Sequence, residues 1–261
     1  MQRFLYSLLI YTASLLTAAN VLAKDSCALV NKSETVQVRY IHDGDTLFLT
    51  DGRKLRLIGL NTPELEQEGQ TSEPLAIQAR NHLRKLLQQS KNTLLIEYDQ
   101  ASKDKYGRTL AHAFLTNGQN ITQILITQGY ATSLIVPPNL QHWQCYQQAE
   151  KQARTHNTGI WALDSYQTQT VEQLPEKANG FFIVRGTVRN IQHYKKSAMI
   201  QLEQKLELFI HADDMVYFTD TLKTIKTGQS LKASGWIHPR KTRLLMRIRH
   251  PSVIEYTTPQ N

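Results

Sequence analysis

Asp51-Gly52, set between the apolar runs 46–50 and 54–60, constrains the fold more than any other feature of this chain. An Asp-Gly pair accepts the positive φ of a two-residue turn whose twist matches the flanking strands, so the two runs read as a tight hairpin. Residues 35–41 supply a third strand just upstream. A polar, acidic loop from 61 to 70 follows, and then a helix capped by Ser72, with Pro74 in its first turn. Leu75, Ala79, Leu83, Leu86 and Leu87 make one apolar face of that helix. Residues 93–98 and 110–115 read as two more strands, Asn120 opens a short helix ending at Gly129, and Asn139 opens another reaching about His156. Gly159 then stops the chain before Trp161. Five strands with a helix after the third is the order of an OB-type barrel. The expected fold is therefore mainly β with helices (α+β), a five-stranded barrel with added C-terminal helices.

Beyond this the chain repeats the β theme. Residues 165–180 are polar and read as a linker. Strand-like runs at 181–188, 199–202, 206–211, 230–237 and 243–248 suggest a second small OB-like barrel over 181–261. The formal net charge is +8, and its distribution is uneven. Residues 165–261 carry 14 Lys and Arg against 8 Asp and Glu, whereas residues 24–164 carry 15 against 14. A basic second half suits a polyanion. Arg243, Arg247 and Arg249 share strand parity near Trp236 and His238, so one strand face can meet a phosphate backbone or simply be solvated.

Residues 1–23 are of another kind: one charge, Arg3, then a mostly apolar stretch ending Val21-Leu22-Ala23. This predicts a signal peptide cleaved before Lys24 and an exported mature chain (periplasmic or secreted) without a transmembrane segment. The apolar run is too short and too interrupted for a comfortable span. Export gives weight to the two cysteines, Cys27 and Cys145, as a disulfide candidate, the alternative being two buried thiols.

Chemistry concentrates in Asp43-Gly44-Asp45-Thr46, Arg56 through Asn61-Thr62-Pro63-Glu64, and Asp104-Lys105-Tyr106-Gly107-Arg108. Phosphodiester hydrolysis needs cationic donors on an anionic phosphate, usually a divalent metal, and a carboxylate beside the attacking water. Arginine suits the phosphate because its planar fork binds two oxygens, and hard oxygen ligands suit calcium or magnesium. These three motifs, in this order, resemble the thermonuclease (staphylococcal nuclease-like) family over residues 35–161. The resemblance implies Asp45 as a metal ligand, with Asp43 nearby and Asn61 and the Thr62 carbonyl completing the set. It implies Glu64 as general base, Arg56 and Arg108 on the scissile phosphate, and Lys105 and Tyr106 as substrate contacts. Its implied activity is Ca2+-dependent endonucleolytic cleavage of DNA and RNA, with Mg2+ or another divalent ion as alternative and no protein partner.

Two positions depart from the family pattern. Asn61 stands where the family usually has an aspartate, which removes one negative charge and predicts weaker metal binding. Residues 134–139 carry no aromatic ring where the family packs tyrosines on the nucleotide, so base binding there should be weaker or differently built. These departures keep a second expectation alive: a nucleic-acid-binding or scaffold module of the same fold with weak or no turnover. His42 is read as a solvated strand-end histidine.

Overall fold

The computed structural model describes residues 27–66, 69 and 71–256; the leader expected at 1–23 lies outside the described residues. The first unit comprises strands β1 (Glu34–Ile41), β2 (Thr46–Leu49), β3 (Lys54–Leu57) and β4 (Gly59–Asn61), then helix α1 (Ala76–Gln89). Strands β5 (Thr93–Glu97) and β6 (Thr109–Phe114), helix α2 (Ile121–Thr127), strand β7 (Thr132–Leu134) and helix α3 (Trp143–Thr155) complete it. Strands β1-β2-β3-β6-β5 close into a barrel, with β3 and β6 parallel. The hairpin at Asp51-Gly52 forms, Gly52 taking φ +91°. Leu47, Leu55, Leu57, Leu94 and Ile96 point inward and are fully buried, as period-two alternation requires. Each contributes about 1.5–3 kcal/mol of burial.

Three local readings shift. The run 54–60 is broken at Ile58 into β3 and β4, because Gly59 adopts φ +89° where the Tyr146 ring leaves no room for a Cβ. Strand β4 leaves the barrel and pairs with β7. Helix α1 starts at Ala76, and Ser72 does not cap it; the Ser72 hydroxyl instead accepts from the Glu66 N–H at 2.9 Å. Helix α3 starts at Trp143, because the Asn139 amide is committed to both backbone groups of Ala101, at 2.8 and 2.9 Å. Asn120 does cap α2, accepting from the Gln123 N–H at 3.0 Å.

The second unit contains β8 (Thr168–Thr170), β9 (Gly180–His193), β10 (Ala198–Leu202), β11 (Leu206–Ile210), helix α4 (Thr219–Thr224), β12 (Ser230–Pro239), β13 (Leu244–Arg247) and β14 (Ile254–Tyr256). Strands β9-β10-β11-β13-β12 form a ring closed by the long β12–β9 pairing, and β14 and β8 extend it. This is the second five-stranded barrel. The stretch 165–180, read as a linker, carries β8, which pairs in parallel with β9. Its few apolar residues, Val171, Leu174 and Ala178, are buried in the second core.

The barrels meet along a seam. Ile183 of β9 packs with Ala153, Ile160 and Trp161, joined by the partly buried Leu75, Tyr166 and Phe181. Gln147 donates to the Ser252 carbonyl at 2.9 Å, and the Trp143 and His250 rings lie 4.7 Å apart. Cys27 and Cys145 are joined in a disulfide with Cα atoms 5.6 Å apart, tying the start of the described chain to α3. Among the described residues no helix is long and apolar enough to cross a membrane.

Candidate active site

The β2–β3 register sets Thr46 opposite Arg56, and just before β2 the Asp45 carbonyl accepts from the Leu57 N–H at 2.9 Å. The Asp45 side chain is 7 % exposed, and its Oδ2 lies 3.0 Å from the Arg56 guanidinium. The same oxygen accepts from the Thr62 N–H at 3.1 Å and the Thr62 hydroxyl at 3.2 Å. Arg56 also donates to the Asn61 side-chain oxygen at 3.0 Å and to the Leu57 and Leu60 carbonyls at 2.7 and 3.1 Å. Asn61 in turn donates to the Thr62 carbonyl at 3.1 Å. Asp45, Arg56, Asn61 and Thr62 therefore form one hydrogen-bonded knot.

Gly44 lets this knot close, since a Cβ there would strike the Thr62 side chain. Asp43 folds its own turn, accepting from the Asp45 N–H at 2.9 Å and the Thr46 N–H at 2.7 Å. Burial, and then the neighbouring Asp45 charge, push the Asp43 carboxyl above its ordinary range. Glu64 is likewise pushed up, by burial first and then by Asp45, Asp43 and Glu73, with Arg56 opposing. Glu73 clamps Glu64 by two bonds: its carboxylate accepts from the Glu64 N–H at 2.9 Å, while the Glu73 N–H donates to the Glu64 carbonyl at 2.8 Å. Sequence reading missed Glu73, because the clamp spans nine positions and has no motif.

Arg108 is carried by its own turn. Strand β3 pairs with β6 so that Arg56 sits opposite Leu110, two residues beyond Arg108. The Arg108 Nε donates to Asp104 at 2.6 Å, and Asp104 also accepts from the Arg108 and Tyr106 N–H groups, both at 2.9 Å. Burial would raise the Asp104 carboxyl, but these bonds outweigh it and hold it below the usual range. Tyr106 is 71 % exposed, and Lys105 and Arg108 lie 4.9 and 5.6 Å from its ring centroid. His42 is a strand-end neighbour of Asp43 at 4.0 Å.

The oxygens around Asp45 are two aspartate carboxylates, an amide and a backbone carbonyl. Among the described residues no three His, Cys, Asp or Glu side chains converge as a metal-binding group. The oxygen-only set fits a hard divalent cation rather than a soft one. In the second barrel the basic face divides. Arg243 pairs with Glu207 at 2.7 Å, whereas Arg247 and Arg249 share Asp214.

Residues 54–163 match the family model described as "Staphylococcal nuclease homologue". The thermonuclease of Staphylococcus intermedius is 34% identical over 134 residues, covering 50% of this chain and 77% of its own length. The thermonuclease of Staphylococcus hyicus is 33% identical over 141 residues, covering 52% and 82%. A prophage-derived endonuclease of Bacillus subtilis, YokF, is 27% identical over 131 residues, covering 48% and 43%. With the barrel and its buried Asp45–Arg56 pair already described, the chain belongs to the staphylococcal nuclease family, a family of phosphodiester-cleaving hydrolases.

Proposed function

We propose that this chain is an exported endonuclease that hydrolyses phosphodiester bonds of DNA and RNA at the Asp45–Arg56–Glu64 cluster. The observation carrying this reading is the hydrogen-bonded knot of Asp45, Arg56, Asn61 and Thr62 with Glu64 in its field. Calcium is the favoured cation and magnesium the alternative, held by Asp45, the Asn61 amide oxygen and the Thr62 carbonyl, with Asp43 close by. When bound, it adds positive charge against the phosphate. Arg56 and Arg108 grip phosphate oxygens, each exchanging a carboxylate partner for the substrate. Turning Arg56 to the phosphate also releases the Asp45 and Asn61 oxygens. Glu64 takes the proton from the attacking water, a task its raised proton affinity favours. By family resemblance the products end in a 5′-hydroxyl and a 3′-phosphate. Lys105 and the exposed Tyr106 ring approach the substrate beside Arg108. The leader and the Cys27–Cys145 disulfide support an extracytoplasmic site of action.

The test is cleavage of plasmid DNA and single-stranded oligonucleotides with calcium, magnesium or a chelator, beside Glu64→Gln. Cleavage should require the cation and fall by roughly 10²–10⁴ in the variant. Undiminished cleavage by Glu64→Gln would sink the assigned base. A second reading, nucleic-acid binding without turnover, is favoured by Asn61, which lacks one ligand charge and whose amide oxygen Arg56 already occupies. Salt-sensitive binding with no cleavage under any cation would select it.

A further inference from the structure

The seam between the barrels carries aromatic and cationic groups beside the strand that leaves the candidate active site. Strand β7 leaves that site directly, Thr132 pairing with Asn61, and runs into a segment, 134–139, with no aromatic ring. The second barrel stands over this segment, where Arg249 reaches the Pro137 carbonyl at 3.5 Å. Arg247 and Arg249 lie 2.7 and 3.3 Å from Asp214, whose side chain is 1% exposed. Two guanidiniums on one buried carboxylate leave a net positive charge and spare N–H donors on two partly exposed side chains. An additional anion is the natural partner of such a pair.

Beside the arginines lies a row of rings. Tyr166 is 5.7 Å from Phe181, and Phe181 is 5.0 Å from the partly buried Trp236. Tyr166 begins the row within the field of Glu73, the residue that clamps Glu64. Trp236, His238, Arg247 and Arg249 line one cavity with residues of β7, its volume about 170 Å³. That is well under the roughly 300 Å³ at which small-molecule sites begin, so the cavity suits a single planar base rather than a larger ligand. A base can enter it only if unpaired, and aromatic stacking with backbone-directed cations is how single strands are held.

We propose that this seam is a nucleotide subsite in which Trp236 stacks an unpaired base of a single-stranded nucleic acid and the Arg247–Arg249 pair takes the adjoining phosphate. The inference rests on the nucleic-acid part of the reading above and supplies, from the second barrel, the stacking that residues 134–139 do not. The experiment measures binding of a labelled single-stranded 12-mer and a duplex of equal length by the full exported chain, in chelator, without chemistry. Trp236→Leu, Trp236→Phe and Arg249→Ser are compared with wild type after thermal melting has checked folding; Arg249 is partly exposed, so its variant tests the site even if Trp236→Leu fails to fold. Single-strand affinity should fall about 10-fold in Trp236→Leu and Arg249→Ser and largely return in Trp236→Phe, with a smaller effect of Trp236→Leu on the duplex. Unchanged single-strand affinity, or an equal loss on duplex in Trp236→Leu, overturns the subsite. A wild type that cleaves while these variants bind normally removes the subsite and keeps the nuclease. One that binds through Trp236 yet cleaves nothing keeps the subsite and removes the nuclease.

Discussion

Gly59 shows how one position can decide where a strand goes. Its φ of +89° bends the chain out of the barrel wall, and the Tyr146 ring occupies the space a side chain would need. Gly59→Ala therefore combines overpacking, about 1–3 kcal/mol, with left-handed backbone strain of about 1–2 kcal/mol. We expect a stability loss on the order of 3 kcal/mol in denaturant unfolding; a loss below about 1 kcal/mol would mean that Tyr146 yields freely. The residues of the candidate site were legible because their chemistry is written in short motifs around Asp45, Arg56 and Arg108. Gly59 was not, because an apolar run on both sides of a glycine reads as one strand. Glu73 was not legible either, since its partner lies across a loop.

At the level of elements, β5, β6 and α3 bury a polar network that no motif announced. Glu97 accepts from His142 at 2.9 Å and from the backbone N–H groups of Val30 and Asn31. His112 meets the Tyr146 hydroxyl at 2.9 Å and lies 3.6 Å from Asp99. Burial holds the His112 imidazole below its ordinary value, with Asp99 pulling the other way. Burial would raise Glu97 and Asp99, but hydrogen bonds, from His142 and His112 foremost, outweigh it and hold both below the usual range. A depressed histidine means that the unfolded chain takes up the proton first, so stability should begin to fall as pH drops through about 6.5. The depressed carboxylates extend that loss at pH values below about 4.5. Each group contributes at most about 1.4 kcal/mol per pH unit. Melting temperatures measured from pH 8 to pH 3 should decline in these two stages, and His112→Gln should lessen the upper one, to which His82 and His250, also held down by burial, contribute the remainder. A flat profile between pH 7 and 5 in the wild type would refute the assignment. The strands themselves were visible from alternation, but a lone histidine on a strand carries no sign of its partners.

For the molecule as a whole, strand order was readable, and the joining of the two barrels was not. Alternation located all five strands of the second ring, although the polar tail of β9, through Arg189 and His193, concealed its full 14 residues. The stretch 165–180 was read as a linker because its apolar residues are few. Each of them is nevertheless buried, and composition does not report where a residue is pointed. The proposed export is tested at this scale too. The exported chain should begin at Lys24, and its intact mass should lack the first 23 residues. An exported protein of full-length mass would overturn the leader.

The Cys27–Cys145 bond lies 118 positions apart along the chain, and every residue of the candidate active site falls between its ends. Seen as a graph rather than a string, that portion of the polymer is a ring. Cutting a ring once opens it without releasing anything, so a protease must cut twice within residues 27–145 before any piece of that portion can leave. After a nick beside the exposed Glu64 or Glu73, the two arginines and their carboxylate partners therefore stay within one covalent body.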